Sequence, residues 1–191
     1  MKKVLITGAG SYIGTSFEHY LTEHYPGIYD VCTVDMRSDG WRNMAFRGYD
    51  VVFHVAGIAH IKETDENAEL YYKVNRDLTV ECAKKALSEQ VPHFVFLSSM
   101  SVYGMNSGRI IKETEPSPTT NYGKSKLEAE NDLNILANQF PNTFTVAILR
   151  PPMIYGKGCK GNYNALKKIA LSVPLFPDII NRRSMLYIDN L

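Results

Sequence analysis

A surplus of charge of either sign is missing from this 191-residue sequence, in which 21 basic and 20 acidic residues leave a formal net charge of +1. Without such a surplus there is no electrostatic footprint for a nucleic acid or a charged membrane surface, so the expected partners are small molecules and other subunits. Cysteine is scarce too. Cys32, Cys82 and Cys159 are odd in number and lack both Cys-x-x-Cys spacing and neighbouring histidine clusters, which points to free thiols in a reducing cytoplasm. Long apolar runs are absent. Met1-Lys2-Lys3-Val4-Leu5-Ile6 begins as an export signal does, but the run breaks at Thr7-Gly8, and no segment approaches the roughly 20 apolar residues of a bilayer span. A soluble cytoplasmic protein is expected, with no internal repeat or linker and a core large enough for one domain, plus room for a small second lobe.

What is present begins with a short apolar run, Val4-Leu5-Ile6, entering Thr7-Gly8-Ala9-Gly10-Ser11-Tyr12-Ile13-Gly14. The run reads as a buried strand. Tyr12, Ile13, Phe17 and Leu21 then recur at helical spacing, so strand, glycine turn and helix follow one another, and the helix N–H groups and dipole face whatever lies over the turn. A pyrophosphate suits that place, although a tight connection without a ligand has the same local look. A second strand, Tyr29 to Asp35, ends on an acid 21 positions beyond Gly14. An acid there accepts hydrogen bonds from an adenosine ribose and repels a 2′-phosphate, which favours NAD, while Arg37 leaves room for NADP.

A third strand within Gly48 to Gly57 closes on Ala56 and Gly57, small enough to line a cofactor crevice. His54, inside its apolar run, is expected to be a core histidine, and His60 in the loop is ambiguous. Leu70, Val74, Leu78, Cys82 and Leu87 predict one helix over 67–90, with Asn75 on a solvated face. Phe94 to Ser99 is a strand ending in hydroxyls, which places Ser98, Ser99 and Ser101 at the carboxyl end where ligands of parallel sheets bind. A helix over 119–139 and a strand over 144–149 complete an alternating pattern. That pattern predicts an α/β, doubly wound parallel sheet over residues 1–156. Residues 157–191 read as the beginning of a small substrate lobe: a turn over 157–161, a helix over 163–171 and a strand over 185–188. Asp189 or Asn190 then has the look of a cap for a helix that is not supplied, as in a truncated chain.

Tyr122 and Lys126, four apart on the helix over 119–139, project from one face. A lysine ammonium beside a phenol, together with a cationic nicotinamide, is expected to lower the phenol's pKa from about 10 toward neutrality. Such a tyrosine takes a proton from a substrate alcohol while Ser99 holds the same oxygen and Lys126 holds the nicotinamide ribose. Tyrosine four residues before lysine is also frequent by chance on amphipathic helices.

The ordered set Thr7-Gly8…Gly14, Asp35, His54-Val55-Ala56-Gly57, Asn75, Ser98-Ser99…Val102-Tyr103-Gly104, Tyr122…Lys126 and Arg150-Pro151…Tyr155-Gly156 resembles the extended short-chain dehydrogenase/reductases, and within them the NAD-dependent epimerase/dehydratase family. The resemblance runs from Met1 to Leu191 and implies a Rossmann fold and a nucleotide-sugar substrate. It makes Tyr122 the acid/base, Lys126 its modulator and ribose ligand, and Ser99 the hydroxyl that orients substrate. NAD then lies against Gly8, Gly10, Ser11, Tyr12, Ile13, Gly14, Asp35, Ala56, Gly57 and Asn75 as well as Tyr122 and Lys126. Arg183 corresponds to an arginine that grips the substrate diphosphate. The family's pairing of two long helices between subunits implies a homodimer.

Three departures stand out. Ser11 replaces the middle glycine of Gly-x-x-Gly-x-x-Gly, adding a Cβ near the pyrophosphate but also a hydroxyl able to donate to it. No aspartate stands near Asn43-Met44-Ala45-Phe46 to meet adenine. Family members also continue into a further substrate-binding portion. Met100 and Ser101 stand where sugar dehydratases carry an Asp-Glu pair, which disfavours dehydration and leaves 4-epimerisation or the reduction of a keto-sugar or aldehyde. A nicotinamide-binding module without catalysis is the alternative from another class.

Overall fold

The computed structural model describes residues 1–59, 61–159, 162–172 and 182–191. Five apolar runs form strands β1 (Lys2–Thr7), β2 (Tyr29–Val34), β3 (Val51–His54), β4 (His93–Leu97) and β5 (Thr145–Leu149). All pair in parallel, in the order β2-β1-β3-β4-β5. This is the Rossmann-type sheet expected from the alternating pattern. Its order reverses at β1, so the crevice for a ligand opens beyond the carboxyl ends of β1 and β3.

The helices are α1 (Tyr12–His24), α2 (Gly40–Asn43), α3 (Ala68–Tyr72), α4 (Leu78–Ser88), α5 (Asn121–Gln139) and α6 (Asn162–Ser172). Alternation along the strands separates two cores. Leu5, Val52, Phe94 and Phe96 pack on one face against Ala83 and Ala86 of α4 and Ala129, Leu133 and Leu136 of α5. On the other face Val4, Ile6, Phe53 and Leu97 meet Ile13, Phe17 and Leu21 of α1. Each large apolar side chain so buried stabilises the fold by about 1.5–3 kcal/mol.

The helix expected over 67–90 is not a single α-helix. A π-turn, Lys73–Asp77, joins α3 to α4, and the Leu78 N–H reaches back five residues to the Lys73 carbonyl. The inward face is correspondingly different from the expected one: Tyr71, Asn75 and Thr79 are buried, whereas Leu70 is 42 % exposed. The physical reason is that Asn75 and Thr79 find buried polar partners, so the core side of this turn is polar.

Past β5, β6 (Met153–Tyr155) pairs in parallel with β7 (Met185–Tyr187). This pairing joins residues on either side of the boundary between 156 and 157 that the sequence alone suggests.

Candidate functional site

The glycine turn is tied to β2 by N–H groups of Gly8 and Ala9 donating to the Val34 carbonyl at 2.9 and 3.0 Å. Gly8 has φ +90°, and a Cβ there would lie 3.1 Å from the Ala56 backbone, so the loops after β1 and β3 approach as closely as glycine allows. Ser11 is the N-cap of α1, its hydroxyl oxygen accepting from the Gly14 N–H at 3.2 Å. That bond leaves the hydroxyl hydrogen to be donated elsewhere. The Ser11 N–H is used by the Gly8 carbonyl. Tyr12 and Ile13 are the first two residues of α1, whose N–H groups have no acceptor within the helix and stand at the positive end of its dipole. This is a cradle that fits a dinucleotide pyrophosphate.

Asp35 follows β2 and is held at the rim by Arg37. The Arg37 Nε donates to both carboxylate oxygens at 2.9 and 3.0 Å, Nη2 to Oδ2 at 2.6 Å, and the Arg37 N–H to Oδ1 at 2.9 Å. These hydrogen bonds from Arg37 bring the Asp35 pKa down to about 2.

Ala56 and Gly57 continue β3 into the crevice. An added Cβ at Gly57 would stand 2.9 Å from Asn75 Oδ1 and 3.3 Å from Lys126 Nζ, which shows how closely these three residues converge. Asn75, expected on a solvated face, is fully buried. Its Oδ1 accepts from the Ile58 N–H at 2.9 Å, and its Nδ2 donates to the Ile58 carbonyl at 3.1 Å and to Ser125 Oγ at 3.2 Å. The carboxamide thus spends its hydrogen bonds on the protein and pins the loop after β3 to α5. His60 lies outside the described residues.

The three serines after β4 diverge. Ser98 is buried and donates to Glu130, which also takes Arg150 Nε at 3.1 and 3.0 Å and Nη2 at 2.5 Å. Arg150 Nη1 in turn donates to the Tyr103 hydroxyl at 2.8 Å. Ser98 therefore belongs to a buried ion-pair cluster. Ser99 Oγ accepts from the Ser101 N–H and donates to Ser101 Oγ, both at 3.1 Å. Its hydroxyl also lies close enough to the Tyr122 phenol to favour loss of the phenol's proton.

Tyr122 stands in the first turn of α5, which Thr120 caps by accepting from the Gly123 N–H at 3.1 Å. Glu63 accepts from the Tyr122 N–H at 3.2 Å, and the Tyr71 ring meets the Tyr122 ring edge-on at 6.4 Å. The lowering of the phenol's pKa expected from Lys126 together with a cationic nicotinamide belongs to the cofactor-bound site; in the chain alone the pKa moves the other way. Burial raises it, and hydrogen bonding from Ser99 only partly opposes that rise. Lys126 does not reverse the balance, because its Nζ donates to the Leu97 carbonyl at 2.9 Å and sits 4.6 Å over the Phe96 ring. Burial also brings the lysine's own pKa down to about 8, with Glu130 opposing the shift.

The structure thus gathers Ser99, Tyr122, Lys126, Asn75 and Gly57 at the carboxyl ends of β3 and β4. Gly8 to Gly14 and Asp35 line the neighbouring ends of β1 and β2. Arg183 lies apart from this group in the sequence of elements, in an exposed segment just before β7. Sequence reasoning missed Thr79, Ser125 and Glu130. Their signal was spacing: each stands four positions beyond, or one position before, a residue already singled out.

The family model described as "NAD dependent epimerase/dehydratase family" matches residues 4–191. Among curated proteins, UDP-glucose 4-epimerase of Vibrio cholerae is 31% identical over 217 residues, covering 100% of this chain and 64% of the relative. N-acetyl-alpha-D-glucosaminyl-diphospho-ditrans,octacis-undecaprenol 4-epimerase of Escherichia coli O157:H7 is 30% identical, covering 98% of this chain and 60% of the relative. The chain therefore spans less than two thirds of the length of these relatives. A solved structure of UDP-glucuronic acid 4-epimerase from Bacillus cereus, in complex with UDP-glucuronic acid and NAD, superposes with TM-score 0.80 at 23% identity, covering 98% of this chain and 69% of that one.

Proposed function

The chain belongs to the NAD-dependent epimerase/dehydratase family, and from that membership we propose that it carries the Tyr122, Lys126 and Ser99 machinery of a sugar-nucleotide 4-epimerase. The family's cofactor is NAD. One observation carries the proposal: Lys126, one turn beyond Tyr122 on α5, is buried with its Nζ donating to the Leu97 carbonyl at 2.9 Å, at the carboxyl end of β4 where Ser99 follows.

When bound, NAD supplies reversible two-electron redox chemistry. The Tyr12 and Ile13 N–H groups hold its pyrophosphate, Asp35 takes its adenosine ribose, and the small Ala56 and Gly57 leave room beside it. Tyr122 exchanges a proton with the sugar hydroxyl at the reacting carbon, and Ser99 hydrogen-bonds the same oxygen. In the chain alone burial raises the phenol's pKa, and Ser99 is the group that makes its loss of a proton easier. Lys126 is the nearby cation, and Asn75 is a positioning residue acting through Ile58 and Ser125. Arg183 is assigned to the substrate diphosphate, and residues 157–191 to the substrate lobe.

Supporting the 4-epimerase reading are the two curated relatives, both of which bear that activity in their names. Met100 and Ser101, where dehydratases carry acids, favour it over dehydration. A homodimer built on α4 and α5 is part of the same proposal, supported by Ile135, which is 56% exposed on α5. Among the described residues no helix is long and apolar enough to cross a membrane.

The test is Tyr122→Phe, assayed with NAD and UDP-glucose or UDP-N-acetylglucosamine by following the sugar C4 epimer in NMR spectra. Loss of a general acid/base is expected to lower turnover by about 10²–10⁴-fold. Turnover equal to that of the unaltered chain overturns the assignment.

A further inference from the structure

A line of buried polar groups joins the glycine turn to the helix that carries Tyr122. Thr7 Oγ1 and His54 Nδ1 are 2.8 Å apart, and His54 Nε2 and Thr79 Oγ1 are 3.0 Å apart. The Thr79 hydroxyl donates to the Asn75 carbonyl at 2.8 Å, Asn75 Nδ2 donates to Ser125 Oγ, and the Ser125 hydroxyl donates to the Tyr122 carbonyl at 3.0 Å. Thr7, His54, Asn75, Thr79 and Ser125 are each 0% exposed.

Counting hydrogens fixes the direction of the line. A threonine hydroxyl has one proton, and that of Thr79 is committed to the Asn75 carbonyl. His54 Nε2 must then be the donor to Thr79 Oγ1, and in a neutral ring Nδ1 must accept from Thr7. Burial holds the ring neutral, bringing its pKa down to about 3, with Lys126 adding to the effect.

We infer that His54 and Thr79 are positioning residues: as a neutral Nε2–H ring bonded to Thr79, His54 locks the end of β1 to the π-turn that aims Asn75 at the loop after β3 and at α5. The inference rests on the proposed catalytic role of Tyr122 for its consequence in turnover, but not for the tautomer. Thr79→Val keeps the shape and removes the hydroxyl, so Nε2 loses its acceptor and the ring is expected to move its proton to Nδ1, toward Thr7.

The experiment compares the full chain with Thr79→Val and Thr79→Ser. The ¹⁵N shifts of the His54 ring at neutral pH are expected to show Nε2–H in the unaltered chain and in Thr79→Ser, and Nδ1–H in Thr79→Val. With NAD and UDP-glucose, Thr79→Val is expected to lose about tenfold in kcat with KM little changed, about 1.4 kcal/mol of transition-state stabilisation, and Thr79→Ser to regain most of it. An Nδ1–H or cationic ring in the unaltered chain overturns the inference, as does a Thr79→Val chain with the original tautomer and undiminished kcat. If the unaltered chain turns over no sugar nucleotide, the proposed reaction fails, and the tautomer spectra alone decide the hydrogen-bonded line.

Discussion

The two ends of the site are held by different physics. At the inner end, Asn75, Thr79, Ser125 and Lys126 are buried and bonded to one another or to backbone, and Glu130 is buried against Ser98 and Arg150. At the outer end, Asp35 and Arg37 grip each other with side chains 42% and 85% exposed. Removing one member of a buried polar pair leaves the other desolvated and uncompensated, at a cost of about 3–5 kcal/mol for an ion pair. An exposed pair contributes about 0–1 kcal/mol. On the proposed function, the inner end is the part that fixes where the reacting groups stand, and the outer end the part that selects what binds while contributing little to the fold.

The largest expected effect is at the inner end. Arg150→Met leaves the Glu130 carboxylate, 1% exposed, with Ser98 as its remaining hydrogen-bond partner among the described residues. Urea unfolding is expected to show a loss of about 3–5 kcal/mol, and the double variant Arg150→Met with Glu130→Met to recover much of it. A loss below about 1 kcal/mol in the single variant would erase the distinction between the two ends.

Next in size is an acid effect. The His54 pKa is about 3 in the fold, below its ordinary 6.5, so between these values the unfolded chain binds more protons than the folded one. Stability is thus expected to fall as pH drops from about 6.5 toward 3, with His54 contributing up to about 1.4 kcal/mol per pH unit. His54→Asn, less stable at neutral pH, should lack this component in urea midpoints measured between pH 7 and 4. Equal slopes in both chains would break the claim that His54 is held neutral.

These inner groups were also the least legible in the sequence. The strands could be read because apolar runs ending at Thr7, Val34, His54, Leu97 and Leu149 are bounded by small or polar residues, and burial on two faces requires such runs. Tyr122, Lys126 and Ser99 could be read because one helical turn and one strand end place them. The π-turn could not. Leu70, Val74 and Leu78 suggest an apolar stripe, and nothing local says that Asn75 and Thr79 turn inward instead, since their partners, Ile58, His54 and Ser125, come from distant parts of the chain. For the same reason spacing does not show how the Tyr122 phenol is shifted in the chain alone. Spacing brings a lysine near, but not the depth of burial or the Leu97 carbonyl that holds the ammonium.

A smaller effect is expected at the glycine turn, outside both ends. The Tyr12 hydroxyl is buried without a partner among the described residues, close against Gly156. Tyr12→Phe removes an unsatisfied polar atom and keeps the ring, so thermal or urea unfolding should show a gain of up to about 1 kcal/mol. A loss of that size would mean that the hydroxyl has a partner that tightens the turn.

The smallest effect on stability, yet the most selective one, belongs to the rim. Asp35→Asn removes the charge that opposes a 2′-phosphate and releases a guanidinium that now spends its donors on the carboxylate. Unfolding should change by no more than about 0.5 kcal/mol. Fluorescence titration with NADPH and NADH should show the ratio of their affinities moving toward NADPH by about tenfold, or 1.4 kcal/mol. The reciprocal variant, Arg37→Ala, frees Asp35 for the ribose hydroxyls and should move the ratio toward NADH. If both variants shift the ratio in the same direction, Asp35 and Arg37 do not oppose each other at the cofactor, and the rim is only an exposed ion pair. If they shift it oppositely while leaving stability unchanged, selection and folding are separated in this site: the buried line holds the geometry, and two exposed charges choose the cofactor.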